Sequence, residues 1–197
     1  MASSSSSFKL VAEAGLGLAE PIDEKWPEFS VAEIAGLSVW WLSASAGGIE
    51  KLDSACRKHL GAGLAEQGRF GIGGSGEVPV RNYWAGERQW FVTGRFGDLP
   101  AEVTKAGWAT DQSDGWVAIR IAGEASRAVM EKVCGLDLHA SVFPTGAAAR
   151  TPIEGMGALI ACEDAENGTF VIFFQRSSAR SFMEHLRHAA HSASPRQ

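Results

Sequence analysis

Three glycines near the middle of the chain have the spacing of a dinucleotide-binding turn. In the stretch RFGIGGSGE, Gly71, Gly73 and Gly76 fit the pattern G-x-G-x-x-G. Such a turn holds a pyrophosphate on the first amides of a helix, so it needs a buried strand before it and a helix after it. A helix tail precedes these glycines, and Pro79 biases Val78 away from helical geometry. We therefore interpret the segment as a flexible loop, or a surface ordered by a partner, that binds no cofactor.

Two other patterns resemble catalytic groups without meeting their requirements. Ser75 misses the hydrolase pattern G-x-S-x-G, because residue 77 is Glu and no strand precedes it. Paired carboxylates do acid–base work only when burial separates their pKa values. Acidic residues do cluster beside two predicted turns, and they are Asp111, Asp114, Glu163, Asp164 and Glu166. We expect these carboxylates to be solvated, and we assign no catalytic residue.

Three histidines recur at three-residue steps near the C-terminus. On a helix, His185, His188 and His191 could meet and ligate a metal, but no third ligand has a recognisable spacing. Histidines near a helix C-terminus are already favoured by the helix dipole. We interpret these three as a solvated helix face and assign no metal ligand.

Composition excludes several classes of function. The 197 residues carry a formal net charge of −5, which disfavours a nucleic-acid partner. No apolar run approaches the roughly 20 residues that span a bilayer, so we expect no membrane partner. The three cysteines, Cys56, Cys134 and Cys162, are widely spaced and form no CxxC pair. They are typical of buried, inert thiols in the reduced cytoplasm, where we expect the protein to be.

Composition also divides the chain into an arm, a domain and a tail. Residues 1–36 include a serine tract and show no sustained period, which predicts a flexible arm. Residues 37–191 are expected to form a single domain that contains the glycine-rich loop at about 61–80. Residues 192–197 are predicted to be a disordered tail.

The periodicity of apolar residues predicts the elements of this domain. Segments rich in β-branched and aromatic residues predict strands at 37–43, 88–94, 115–123, 156–163 and 169–176. Helical spacing predicts helices at about 48–60, 98–105, 124–135 and 178–190. Asn167-Gly168 suits the tight turn of the last hairpin. The order of elements predicts an α+β fold, an antiparallel sheet covered by helices on one face.

The seven tryptophans and ten phenylalanines exceed what a core of this size holds easily. Most should be core residues, and the remainder should lie at an interface, where aromatic residues are enriched. Two arginines adjoin apolar strands and need a partner, either within this chain or across an interface. The candidate interface residues are Trp40, Trp41, Trp84, Arg150, Arg176 and Phe182.

Two segments of the C-terminal half carry a family resemblance. CGLDLHASVFPTGAAART (134–151) and FVIFFQRSSARSFMEHLRHAA (170–190) resemble the γ subunit of heterotetrameric sarcosine oxidase. The resemblance covers about residues 88–190 and is loose before them. The matching residues are Asp137, Leu138, Phe143, Pro144, Gly146, Arg150, Thr151, Arg176, Ser177, Ser181 and Phe182.

The resemblance implies a fold like the N-terminal folate-binding module of the glycine cleavage T-protein. It also implies a complex that oxidatively demethylates sarcosine, or a related N-methyl amino acid, to glycine. That reaction yields hydrogen peroxide and passes the one-carbon unit to tetrahydrofolate. In the family FAD, FMN, NAD and the folate belong to the larger α and β subunits, and zinc belongs to the δ subunit. The γ subunit has no catalytic residue to carry over, and it would pack mainly on the α subunit.

Two other classes remain open at the level of sequence. One is a self-standing folate-binding protein of the T-protein type, either an aminomethyltransferase or an iron–sulfur assembly protein. Those proteins are longer, and the iron–sulfur type carries a K-G-C-Y/F-x-G-Q-E motif that Cys134-Gly135 does not match. The other class is an isolated binding module, for which the sequence offers no positive signal.

Overall fold

The computed structural model describes residues 14–18, 20–74 and 79–193. Within these residues the strands are β1 (Asp23–Trp26), β2 (Phe29–Glu33), β3 (Ser38–Ser43), β4 (Phe70–Gly73), β5 (Val80–Gly86), β6 (Gln89–Gly94), β7 (Trp108–Asp111), β8 (Trp116–Ala122), β9 (Ala148–Ile153), β10 (Met156–Asp164) and β11 (Thr169–Gln175). The helices are α1 (Ile49–Leu60), α2 (Ala101–Thr104), α3 (Ser126–Met130) and α4 (Ala179–Ala193), which follows a 3-10 turn at Arg176–Ser178.

These strands form two antiparallel sheets that pack face to face. The six-stranded sheet has the order β1-β2-β8-β11-β10-β9, and the five-stranded sheet has the order β4-β5-β6-β3-β7. Alternate residues of each strand point to opposite faces, so most central strands contribute to two cores. In β11, for example, Val171 and Phe173 face the other sheet, while Phe170, Ile172 and Phe174 face the helices.

Helices cover the outer face of each sheet. Helices α3 and α4 pack on the six-stranded sheet in the largest core, and α1 and α2 pack on the five-stranded sheet in a second core. A third core lies between the sheets. The predicted α+β class is therefore confirmed, but the single sheet expected from sequence is two sheets in four layers. Among the described residues, no helix combines the length and apolarity required to traverse a bilayer.

The strongly periodic elements lie where the sequence places them. The five predicted strands are confirmed as β3, β6, β8, β10 and β11, and the helix predicted at 48–60 is confirmed as α1. Gly61 ends α1 with a left-handed φ of 73°. Helix α3 is shorter than predicted and ends at Met130, because the chain then turns and Cys134 forms an antiparallel bridge with Ile153, the last residue of β9.

The predicted arm and loop both contain strands. Strands β1 and β2 lie within residues 1–36, and β2 pairs with β8 in the six-stranded sheet. The serine tract lies outside the described residues. Strand β4 lies within the predicted loop and pairs with β5, so a strand and not a helix follows the glycine motif. Gly76 and Ser75 lie outside the described residues, as do residues 194–197 of the predicted tail, whereas α4 continues through Ala193.

Close approach of two backbone segments explains why residue 73 of the motif is glycine. A Cβ on Gly73 would lie 1.9 Å from the Gly61 carbonyl oxygen, so β4 crosses the end of α1 with no room for a side chain. At Gly71 the nearest atom to such a Cβ is 4.0 Å away. The spacing that resembles a nucleotide turn therefore includes a glycine required by packing.

Hydrogen bonds also join the two sheets along one side. The Phe70 amide donates to the Gly146 carbonyl at 3.0 Å, and the Ala148 amide donates to the Gly68 carbonyl at 2.9 Å. The Trp84 amide of β5 donates to the Arg69 carbonyl, so this row of hydrogen bonds continues into the five-stranded sheet. We call residues 68–70 with 146–148 the seam.

Candidate functional site

A row of aromatic side chains crosses the inner face of the five-stranded sheet. The strand register places Phe70, Tyr83, Phe91 and Trp41 at the same level on β4, β5, β6 and β3. Neighbouring residues in this register have close Cβ atoms, which favours ring contacts. The ring centroids of Phe70 and Tyr83 are 5.4 Å apart, and those of Phe91 and Trp41 are 4.8 Å apart.

The other sheet places an arginine at one end of this row. Arg150, on β9, holds its guanidinium carbon 5.3 Å from the centre of the Trp41 ring. Trp41 is half-buried and Arg150 is exposed. Phe91 also makes an edge contact of 4.9 Å with Trp116 of β8. Two residues that the sequence nominates separately, Trp41 and Arg150, thus form one exposed pair.

The other two nominated tryptophans lie on the opposite face of the five-stranded sheet. Trp40 and Trp84 are half-buried and pack against the core beneath α1 and α2. The Trp40 indole nitrogen is buried, and none of the described residues accepts a hydrogen bond from it. Trp84 borders a shallow hollow of about 890 Å³ that Ile49, Glu87 and Arg88 also line. These two rings are therefore not part of the Trp41–Arg150 pair.

The two nominated residues at the C-terminal end differ in exposure. Phe182 is 2% exposed and stacks on Phe174 with centroids 4.0 Å apart, so its ring belongs to the core of this chain. Arg176 is exposed and donates to the Asp114 carbonyl at 2.7 Å. It lies beside a cleft of about 280 Å³ that Glu33 and Trp116 also line.

An ion cluster between the sheets is the main feature that sequence reasoning missed. Glu163, which we expected to be solvated, forms ion pairs with Arg81 of β5 at 2.7 Å and with Arg120 of β8 at 2.8 Å. A bulge in β10 between Cys162 and Asp164 accompanies this position. The Glu163 side chain is only 14% exposed. Arg120 within the apolar run of β8 was the available signal, because a charge there needs a partner.

A buried tyrosine adjoins this cluster. Burial raises the pKa of Tyr83, and the negative charge of Glu163 adds to the rise, while Arg81 and a hydrogen bond with Thr93 oppose it. The Tyr83 side chain is 1% exposed. A neutral phenol in this position acts as a packing and hydrogen-bonding group and not as a proton donor near neutral pH.

The remaining acidic residues near turns have local roles. Asp111 accepts the Ser113 hydroxyl at 2.6 Å and its amide at 2.9 Å, and these hydrogen bonds lower the Asp111 pKa. Asp164 accepts the Asn167 side chain at 2.7 Å, which lowers the Asp164 pKa. Such contacts are typical of turns that polar side chains stabilise.

The histidines are exposed and make separate contacts. His185 lies 3.7 Å from Glu154, and the His191 ring nitrogen lies 2.7 Å from the Arg187 carbonyl. His139 contacts the Ser141 hydroxyl at 2.8 Å, but both belong to one exposed turn and the Ser141 amide shares the same ring nitrogen. In residues 14–18, 20–74 and 79–193, no three His, Cys, Asp or Glu side chains gather as a metal site would require.

Neither a protein-family model nor a curated protein sequence matches the chain. Among solved structures, a chain of heterotetrameric sarcosine oxidase from Corynebacterium sp. U-96, in complex with pyrrole 2-carboxylate, matches with a TM-score of 0.71. The identity is 22%, and the match covers 86% of this chain and 87% of that chain. The regulatory subunit of aspartate kinase from Thermus thermophilus, in its ligand-free form, matches with a TM-score of 0.36 at 11% identity.

The match with the oxidase chain and the strand order together show the fold. The protein is an α+β protein with two antiparallel sheets and helices on both outer faces. More particularly, it has the fold of a chain of heterotetrameric sarcosine oxidase over nearly the full length of both chains.

Proposed function

We propose that this chain is the non-catalytic γ subunit of a cytoplasmic sarcosine-oxidase-type complex. The observation that carries the proposal is the fold match, which covers 86% of this chain and 87% of the oxidase chain. The sequence resemblance over residues 134–151 and 170–190 supports it independently. At 22% identity the match alone shows only the fold, so the assignment rests on both.

In this proposal the chemistry takes place in the partner subunits. The complex oxidatively demethylates sarcosine, or a related N-methyl amino acid, to glycine with formation of hydrogen peroxide, and it transfers the one-carbon unit to tetrahydrofolate. FAD, FMN, NAD and the folate are bound by the α and β subunits, and zinc is bound by the δ subunit. The γ chain packs mainly on the α subunit and stabilises the assembly.

The surface of the chain offers groups suited to such packing. Obligate interfaces bury roughly 2,000 Å² or more and contain aromatic residues and arginine. Trp108 is 65% exposed on β7, an edge strand of the five-stranded sheet, and Ile72 is 60% exposed on β4, the other edge. Strand edges with exposed apolar side chains favour pairing with another chain. These features support a subunit role.

The proposal is tested by isolating the chain with its native partners. A tagged copy is expressed in the native host, and the affinity eluate is measured for flavin absorbance and for sarcosine-dependent hydrogen peroxide formation. We expect a yellow eluate whose activity produces methylenetetrahydrofolate when tetrahydrofolate is added. A parallel panel of N-methyl amino acids identifies the substrate. A colourless eluate that contains this polypeptide alone would overturn the proposal.

The same material distinguishes the T-protein alternative. The isolated chain is titrated with tetrahydrofolate in a calorimeter. We expect no heat of binding, because the folate site belongs to the partner in our proposal. Saturable binding with a stoichiometry near one site per chain would favour the self-standing folate protein instead.

A further inference from the structure

Arg150 is exposed. Across the described residues, 14–18, 20–74 and 79–193, its guanidinium makes no ion pair or hydrogen bond, and it lies over the Trp41 ring at 5.3 Å. By contrast, Arg81 and Arg120 share Glu163, and Arg187 contacts Glu24 at 3.0 Å. Arg150 therefore retains the full donor capacity of its guanidinium.

The surrounding structure fixes the orientation of this guanidinium. The Trp41 ring makes an edge contact with Phe91, which is fully buried, and Phe91 contacts Trp116 at 4.9 Å. Because Phe91 cannot move without disturbing the core between the sheets, the Trp41 ring is held in place. A guanidinium over a fixed indole face is itself oriented by cation–π attraction. Less side-chain entropy is then lost when Arg150 binds a ligand.

The chemistry of the pair identifies the ligand class. A planar guanidinium presents parallel N–H groups that match the two oxygens of a carboxylate. Arginine and tryptophan are also the residues most enriched at the energetic centres of protein interfaces. The Arg150 side chain is exposed on β9, so another chain can approach its guanidinium.

We propose that Arg150, oriented by Trp41, binds an Asp or Glu carboxylate of the α subunit, the large subunit of the proposed complex. This inference rests on the proposed function and adds to it the position and chemistry of one contact. Complementary charge supports this occupant, since among the described residues the exposed guanidinium of Arg150 lies beside the half-buried Trp41 ring without a carboxylate partner. The contact becomes buried when the complex forms, which makes it a major determinant of the dissociation rate.

The test compares three variants with the wild-type chain. Arg150→Gln removes the charge, and Arg150→Lys keeps the charge but loses the planar fork. Arg180→Gln is the matched control, because Arg180 is also exposed and, within the described ranges, also makes no ion pair or hydrogen bond, but it lies on α4. The flavoprotein recovered with the wild-type chain is separated from it in a low concentration of urea, which weakens apolar contacts, and the urea is then removed. Each variant is then titrated into this flavoprotein, and the Kd is measured at several salt concentrations.

We expect Arg150→Gln to weaken binding about 30-fold or more, as truncation of a buried interfacial charge pair does. The Kd of Arg150→Lys should lie between those of Arg150→Gln and wild type. The Kd of Arg180→Gln should equal that of wild type. The dependence of Kd on salt should be shallower for Arg150→Gln than for wild type. Circular dichroism spectra and melting temperatures of the free variants should match the wild type, since Arg150 is exposed.

Three outcomes would overturn the inference. Equal affinity of Arg150→Gln and wild type for the flavoprotein overturns it while leaving the proposed function intact. A wild-type eluate without flavoprotein overturns the proposed function and this contact with it. Self-association of the free chain that Arg150→Gln abolishes, measured by sedimentation, would assign the pair to a second copy of this chain and not to the large subunit.

Discussion

The Glu163 carboxylate links the two sheets, because it pairs with one arginine from each of them. It forms an ion pair with Arg81 of the five-stranded sheet at 2.7 Å and another with Arg120 of the six-stranded sheet at 2.8 Å. Removing a charge from water is costly, and the two guanidiniums offset that cost for one carboxylate. The arrangement leaves Arg120 45% exposed, whereas Arg81 is only 17% exposed. Arg81 therefore depends more strongly on Glu163 than Arg120 does.

A buried thiol gives a pH-dependent prediction at the residue scale. Burial, with a smaller effect of the Asp53 charge, raises the pKa of Cys56 from 9.0 to about 12. Above about pH 9 the unfolded chain loses the thiol proton while the folded chain keeps it, so the free energy of unfolding falls as pH rises. This stabilisation is complete below about pH 9 and is lost progressively up to about pH 12. By pH 10 the loss should be about 1.4 kcal/mol.

The measurement is urea unfolding at pH 8 and pH 10 for wild type and Cys56→Ala. The variant should be less stable at both pH values because of the cavity it creates, by about 1 to 2 kcal/mol. Between pH 8 and pH 10 the free energy of unfolding should fall less for the variant than for the wild type. An identical decrease in both proteins would show that Cys56 does not retain its proton in the folded state.

At the scale of elements, the crossing of β4 over the end of α1 gives a second prediction. Gly73→Ala should lower the free energy of unfolding by about 2 to 4 kcal/mol, because its Cβ would lie 1.9 Å from the Gly61 carbonyl oxygen. Gly71→Ala is the control in the same strand, where the nearest atom is 4.0 Å away, and it should change stability by less than about 0.5 kcal/mol.

Urea unfolding gives the free energies, and amide hydrogen exchange locates the effect. The amides of β4 and its partner β5 should exchange faster in Gly73→Ala than in wild type. Equal stability of the two variants would mean that β4 can separate from α1 without loss.

Elements with a clear apolar pattern of their own can be predicted from the sequence. Strands β3 and β11 carry long apolar or aromatic runs, and α4 shows a clear apolar face, so the periodicity alone identifies them. Strand β4 has the sequence FGIG, and β1 has the sequence DEKW with every side chain exposed or half-buried. Neither contains enough apolar periodicity to predict a strand, and each depends on pairing with a neighbour that is defined only in the folded chain.

The same limit applies to the candidate site. Residue type alone nominated Trp41 and Arg150, but their contact follows from the crossing of β9 over the inner face of the five-stranded sheet. Phe182 was nominated on the same basis, and its position on the inward face of α4 places it in the core. Glu163 was assigned to solvent, because its two partners lie 82 and 43 residues away in sequence, at Arg81 and Arg120.

At the scale of the whole molecule, the core between the sheets should make unfolding a single transition. Leu159 is fully buried in this core. Five of the seven tryptophans lie on the five-stranded sheet, whereas circular dichroism reports on both sheets. These five are Trp40, Trp41, Trp84, Trp90 and Trp108. We expect the fluorescence and circular dichroism transitions of the wild type in urea to coincide.

Leu159→Ala should shift both transitions together and lower the free energy of unfolding by about 3 kcal/mol, because the Leu159 side chain lies in the core that both sheets share. Ile49→Ala is the control on the outer surface, where Ile49 is 38% exposed, and its effect should be much smaller. Separation of the two probes in either protein would show that each sheet unfolds on its own.

The strand order has a consequence for synthesis on the ribosome. Strands β3 to β7 come from one uninterrupted stretch, residues 38–111, so the five-stranded sheet can pair fully while the rest of the chain is still being made. Strands β1 and β2 are translated first, yet β2 must await β8, and the six-stranded sheet stays open until β11 emerges. The sides of β8 and β10 that β11 joins are thus the last to be paired in the nascent protein, and they are the surfaces on which a chaperone or an early-arriving neighbour would act first.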